Sequence, residues 1–120
     1  MKLAQLTTLP LPKLKRIGRD LMVEEMSQLA ALHLPVLESV GNLRVRENKE
    51  LTDLELPMLG EVSTDFIVTK NKELVTLNVA KLARAGRSAG VTDNPKLAAL
   101  VCPSTLRAQI SEAPIDVSFY

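Results

Sequence analysis

His33 is the only histidine in this 120-residue chain, and Cys102 is the only cysteine. Metal coordination and histidine-dependent nucleophilic chemistry both need a second ligand or partner group, and the sequence places none beside either residue. No G-x-S-x-G element presents a nucleophilic serine, and no G-x-x-x-x-G-K-[ST] loop cradles phosphates. A single cysteine also excludes an internal disulfide and a cysteine-based metal cluster within one chain. Asp53, Glu55 and Glu61 are close in sequence, but nothing around them forecasts the pocket that small-molecule chemistry requires. The expectation is a protein that is not an enzyme, with no catalytic, cofactor-binding or metal-binding residue.

Lys81, Arg84 and Arg87, preceded by Lys70 and Lys72, form a local basic cluster. The stretch Arg84 to Gly90 holds two glycines and small residues, which would suit an anion-binding turn. The plainer expectation, and the preferred one, is a solvated corner. Asp20, Glu24 and Glu25 make a mild acidic counter-patch near the start. Over the whole chain 15 basic residues oppose 14 acidic ones, a net charge of +1. That balance removes the electrostatic case for nucleic acid or an anionic membrane. With two Phe, one Tyr and no Trp, platforms for stacking bases or sugars are nearly absent. No apolar run approaches the ~18 residues of a membrane-spanning helix, and no export signal is visible at the start.

Leucine dominates instead, and it repeats. One unit runs Leu29, Leu32, Leu34, Pro35, Leu37, Val40, Leu43, Val45, Asn48; the next runs Leu51, Leu54, Leu56, Pro57, Leu59, Val62, Phe66, Val68, Asn71. A third passes through Leu74, Leu77, Val79, Leu82, Ala85, Ala89 and Val91 to Asn94. A fourth starts at Leu97, Leu100 and Cys102 before losing phase. Upstream, Leu6, Leu9, Leu11, Pro12, Leu14, Ile17, Leu21 and Val23 fit the same frame, with Met26 where Asn is due. A period of 22 to 23 residues means stacked coils, about four of them with irregular ends.

Each unit contains two short stretches that alternate apolar and other residues, such as Leu54-Glu55-Leu56 and Leu43-Arg44-Val45, which predicts two half-buried strands per coil. Pro35 and Pro57 close the first strand, and Gly18, Gly41, Ser63 and Gly86 mark a corner at one fixed point. A leucine-rich horseshoe is the alternative, with one strand and one helical or 3₁₀ side per repeat. Leu54 and Leu56 lie on different faces of any helix, and Pro57 interrupts it. The prediction is therefore an all-β parallel β-helix. Residues 1–28 are expected to form an irregular first coil or cap, 29–102 regular coils, and 103–120 a C-terminal cap or strand, all one domain. At the ends, Leu3, Leu6, Leu9 and Leu11 carry the apolar pattern to the start. Ile115, Val117 and Phe119 alternate with polar residues as one more strand.

The unit from Asn48 to Val62 resembles the receptor L-domain family, whose coils look like N-x-x-L-x-x-L-x-L-P-x-L-x-x-V. The resemblance covers about Leu6 to Pro103. It implies a right-handed β-helix of the kind found in receptor ectodomains, fungal wall proteins and uncharacterised bacterial surface proteins. The lack of disulfides brings the chain closer to the bacterial members. That family setting implies a cell-surface or secreted location. Its members share no catalytic or ligand-contact motif, so no functional residue carries over.

On this frame Asn48, Asn71 and Asn94 form a structural column, each amide satisfying backbone groups of adjacent coils. His33 faces outward between Leu32 and Leu34. Cys102 falls on the inward column of Leu34, Leu56 and Val79, as a small buried hydrophobe or, with poor capping, an exposed thiol. Met22, Arg44, Ile67 and Gly90 point outward from the second strand, with Glu24, Arg46, Thr69 and Thr92 beside them. Arg44, Arg46, Ile67 and Thr69 form the candidate interface, since Arg and apolar side chains combine there. The functional expectation is a binding module that presents flat faces to a protein or polysaccharide. The alternative is a structural or self-assembling unit. A monomer is favoured over an end-to-end or strand-exchange dimer.

Overall fold

The computed structural model describes residues 14–111, and these form nine short strands and one helix. Strand β1 (Arg16–Glu24) is followed by β2 (Ala31–His33), β3 (Ser39–Arg46), β4 (Asp53–Glu55), β5 (Glu61–Val62) and β6 (Asp65–Thr69). Then come β7 (Thr76–Asn78), β8 (Ser88–Thr92), β9 (Ala99–Val101) and helix α1 (Ser104–Ser111). Strands from successive coils stack in two parallel sheets, the longer in the order β1-β3-β6-β8 with β5 pairing β3, the shorter β2-β4-β7-β9. This is a parallel β-solenoid of about four coils. Each complete coil contributes a strand to both sheets, which sets it apart from a one-strand-per-repeat horseshoe.

Register explains why the leucines recur. Leu32, Leu54, Leu77 and Leu100 are successive partners in the shorter sheet, and all four are fully buried. In the longer sheet Val45, Val68 and Val91 are partners, also with no exposure. An alternating strand must send every second side chain inward, and a stacked coil gives each one an equivalent neighbour above and below. Burying one such side chain stabilises by about 1.5–3 kcal/mol. Volume is balanced along a column rather than at each position: Phe66 lies between Leu43 and Ala89, so the large ring is offset by a small neighbour, as close packing demands.

The glycine positions fall at one bend of the chain. Gly18 and Gly41 lie inside β1 and β3, and the β1–β3 register shifts between Ile17 and Asp20. Ser63 follows β5, and Gly86 precedes β8. The shared position is thus a corner at one fixed point, a bend within the longer sheet. No glycine has positive φ; the constraint is close approach. A Cβ at Gly41 would lie 2.6 Å from the carbonyl oxygen of Arg19, and one at Gly86 would collide with the Ser63 carbonyl.

A second corner carries a different device. Glu25, Glu47, Lys70 and Asp93 have φ of 54°, 56°, 57° and 55°, a column of non-glycine residues in the left-handed region at the ends of β1, β3, β6 and β8. The N–H of Glu25 donates to Arg46 O, that of Glu47 to Thr69 O and that of Lys70 to Thr92 O. These bonds to the next coil hold a conformation that costs an L-residue about 1–2 kcal/mol. Each left-handed residue turns the chain so that the residue after it points inward.

At the far end, the expected cap or strand over 103–120 begins as a helix. Leu106 and Ile110 of α1, one helical turn apart, are fully buried, and the helix packs on β8. Gln109 finishes the edge: its Oε1 accepts from Ala85 N and its Nε2 donates to Ala85 O, both at 2.8 Å. One side-chain amide thus imitates the backbone of a further coil. The expectations for Leu3, Leu6, Leu9 and Leu11, and for a strand over Ile115, Val117 and Phe119, lie outside the described residues.

Candidate binding surfaces

The residues inward of the left-handed column are Met26, Asn48, Asn71 and Asn94, and the three asparagines are buried. They form a directional ladder. Asn71 Oδ1 accepts from Asn48 N at 3.3 Å and Asn48 Nδ2 at 3.0 Å, and Asn94 Oδ1 accepts from Asn71 N and Nδ2, both at 3.1 Å. Each Nδ2 also donates 3.0 Å to a backbone carbonyl, of Val23, Val45 or Val68 in turn. Asn48 Oδ1 accepts from Met26 N, where the column has methionine in place of asparagine. All these groups face the interior and leave nothing to a ligand.

The outward face of the longer sheet is different. Met22, Arg44, Ile67 and Gly90 are register partners along one column. Arg44 is half-buried, and its Nε is shielded with no hydrogen-bond acceptor. Asn42 Oδ1, two residues along the same strand face, is shielded without a donor. Arg46 Nε is shielded without a hydrogen bond in the same way, but its guanidinium lies in ion-pair range of two carboxylates, Nε 3.5 Å from Glu24 and Nη2 3.8 Å from Glu47. Thr69 bonds Thr92 through their hydroxyls at 2.9 Å. Ile67 leans over Gly90, where a Cβ would stand 3.4 Å from Ile67 Cδ1. Among the four candidate interface residues, Arg44 is therefore the one whose shielded polar group has neither a hydrogen bond nor an ion pair.

His33 sits on the outer face of the shorter sheet, its Nε2 3.5 Å from Glu55 Oε2, with both side chains well exposed. Cys102 packs against the core but stays partly exposed, between the two expectations for it. Burial raises its thiol pKa above the ordinary value, partly offset by the Arg107 guanidinium. A thiol held protonated is a weak nucleophile. Among the described residues, no group of three or more His, Cys, Asp or Glu could hold a metal ion, and no helix is long and apolar enough to cross a membrane.

The turn at Arg84 to Gly90 offers no nest of free N–H groups. The N–H of Gly86 donates to Val62 O, and those of Arg87 and Ser88 donate to Thr64 O. Ala85 N is taken by Gln109. Lys81, Arg84 and Arg87 are exposed, and Arg87 Nε lies 3.9 Å from Asp65. Lys70 and Lys72 do not join them. They line a groove of about 740 Å³ on the outside of the asparagine corner, which no sequence motif announced. Its signal was positional: in the coils from Asn48 and Asn71, the residue after the asparagine is Lys.

No family model, curated protein or solved structure matches the chain.

Proposed function

We propose that this chain is a non-enzymatic binding module of the receptor L-domain type, presenting the outer face of its longer sheet to a protein or polysaccharide at a cell surface. The Asn-Leu-Leu-Leu-Pro-Leu-Val coil pattern supports the family reading. The state of Arg44 carries the functional one. A desolvated donor without an acceptor costs about 1–3 kcal/mol, and an arginine between Met22 and Ile67 has the composition of an interface anchor. A partner carbonyl or carboxylate docked on this face would supply the missing acceptor, while Met22 and Ile67 would bury apolar area around it.

The test is selection of binders from an immobilised glycan panel and a displayed peptide library, followed by titration with wild type, Arg44→Ala and Ile67→Ala. Binders to this face should weaken by roughly tenfold or more with Arg44→Ala, the loss expected for a charged hydrogen bond. Binders indifferent to both substitutions would remove the proposal. Concentration-dependent sedimentation of the wild type that Arg44→Ala abolishes would make the partner a second copy, and the chain a self-assembling unit.

A further inference from the structure

The bonded groups of the asparagine ladder are all satisfied, but the ladder runs out at Asn94. Each coil offers the next one two donors and one acceptor. Asn48 N–H and Nδ2 donate to Asn71 Oδ1, and Val45 O accepts from Asn71 Nδ2. Asn71 N–H and Nδ2 donate to Asn94 Oδ1, and Val68 O accepts from Asn94 Nδ2. Val91 follows Val68 in register, so the corresponding set in the last of these coils is Asn94 N–H, the second Nδ2 hydrogen of Asn94, and Val91 O. Asn94 Nδ2 donates to Val68 O alone, and among the described residues no acceptor meets Asn94 N–H. Asn94 is 3% exposed, so water serves these hydrogens poorly.

Two donors beside one acceptor are the complement of a primary carboxamide, which carries an acceptor oxygen and a donor NH2. A carboxylate would meet the donors but bring no hydrogen for the carbonyl. The protein already covers the same end in this manner at Ala85, whose N–H and carbonyl are both taken by the carboxamide of Gln109 at 2.8 Å. Strand β8 is the last of the longer sheet, so an extended segment can run beside it ~4.8 Å away. Main-chain bonds to such an edge give affinity, and side-chain recognition gives specificity. The segment must carry asparagine three residues after an inward apolar residue, as Val45 and Asn48 do, and Val68 and Asn71. Residues 112–120 contain neither Asn nor Gln. In a second copy stacked end to end, the first coil has Met26 at the ladder position, without a carboxamide.

We propose that the free edge of β8 is a docking site for an extended segment of a partner protein, which places an asparagine carboxamide on Asn94 and Val91 O. The site is separate from the Arg44 face and does not depend on it. The test is a ¹⁵N–¹H NMR titration of the full chain with a peptide that has the sequence of residues 64–73, a coil that already fills this role inside the fold. The control is the same peptide with alanine in place of its asparagine. Saturable shifts are expected at the amides of Val91 to Asn94, with those of Arg44 and Asn48 unmoved. The Asn94 amide should exchange with solvent more slowly once the peptide is bound. The alanine peptide should bind about tenfold more weakly or worse, as loss of buried hydrogen bonds implies. The change sits in the peptide, so the protein's own fold is the same in both arms. Equal affinity for the two peptides, or shifts that never saturate or fall elsewhere, would overturn the proposal. So would an Asn94 amide as protected in the free protein as that of Asn71, because the edge would then be closed already. A wild-type dimer in sedimentation that Asn94→Ala dissociates would give the site to a second copy and overturn it as well.

Discussion

Asn71 concentrates more of the fold's specificity than any other polar residue. Its side chain takes part in four hydrogen bonds, accepting from Asn48 N and Nδ2 and donating to Val45 O and Asn94 Oδ1. Asn48 and Asn94 each make three through their side chains. Removing a buried partner strands the groups it served, so Asn71→Ala should lose ~1–3 kcal/mol in chemical denaturation, with Asn48→Ala and Asn94→Ala losing less. An Asn71→Ala midpoint equal to wild type would show that water replaces the ladder at little cost. Glycine makes a second contrast at this scale. Gly86→Ala drives a methyl into the Ser63 backbone, whereas at Gly60 the nearest atom is 4.0 Å away. Backbone cannot yield as a side-chain tip can, so Gly86→Ala should cost about 1–3 kcal/mol, in the range of overpacking, and Gly60→Ala should stay within about 0.5 kcal/mol. Equal thermal shifts for the two would dismiss the close-approach explanation.

The elements differ in how openly the sequence declares them. A strand stacked on its own repeat puts Leu32, Leu54, Leu77 and Leu100 in one buried column, and such periodicity is readable because each coil repeats the same packing problem. The two strands per coil, the inward asparagines and the outward His33 follow from it. Helix α1 occurs once, spans eight residues, and shows its buried face only through Leu106 and Ile110, too little periodicity to separate it from a strand or loop. The left-handed column was hidden for another reason. Its residues are Glu25, Glu47, Lys70 and Asp93, and none is the glycine or asparagine that usually announces positive φ. The groove depends on that column, so it was equally illegible. The role of α1 has a direct readout. Gln109→Ala removes both partners of the Ala85 backbone, so the Ala85 amide should exchange with solvent markedly faster while the Asn71 amide keeps its protection. Unchanged protection at Ala85 would mean the edge is covered by something other than this side chain.

At the scale of the whole molecule, a solenoid makes its core and leaves its outer faces to chance or to selection. Several outward positions here are settled within the fold: Glu24 with Arg46, His33 with Glu55, Thr69 with Thr92, Ser88 with Asp65. On the longer sheet Asn42 Oδ1, Arg44 Nε and Arg46 Nε are shielded without a hydrogen bond, and of the two arginines only Arg44 also lacks an ion pair. If that arginine serves a partner, it is a burden to the isolated protein, and an apolar replacement that keeps the packing of its stem should relieve it. The decisive measurement is the thermal denaturation of Arg44→Leu against wild type. The account predicts a higher melting temperature for Arg44→Leu, because a buried donor without an acceptor is removed and no bond is lost. A lower melting temperature would contradict it, by showing that Arg44 stabilises the solenoid itself and is not held in waiting for a partner.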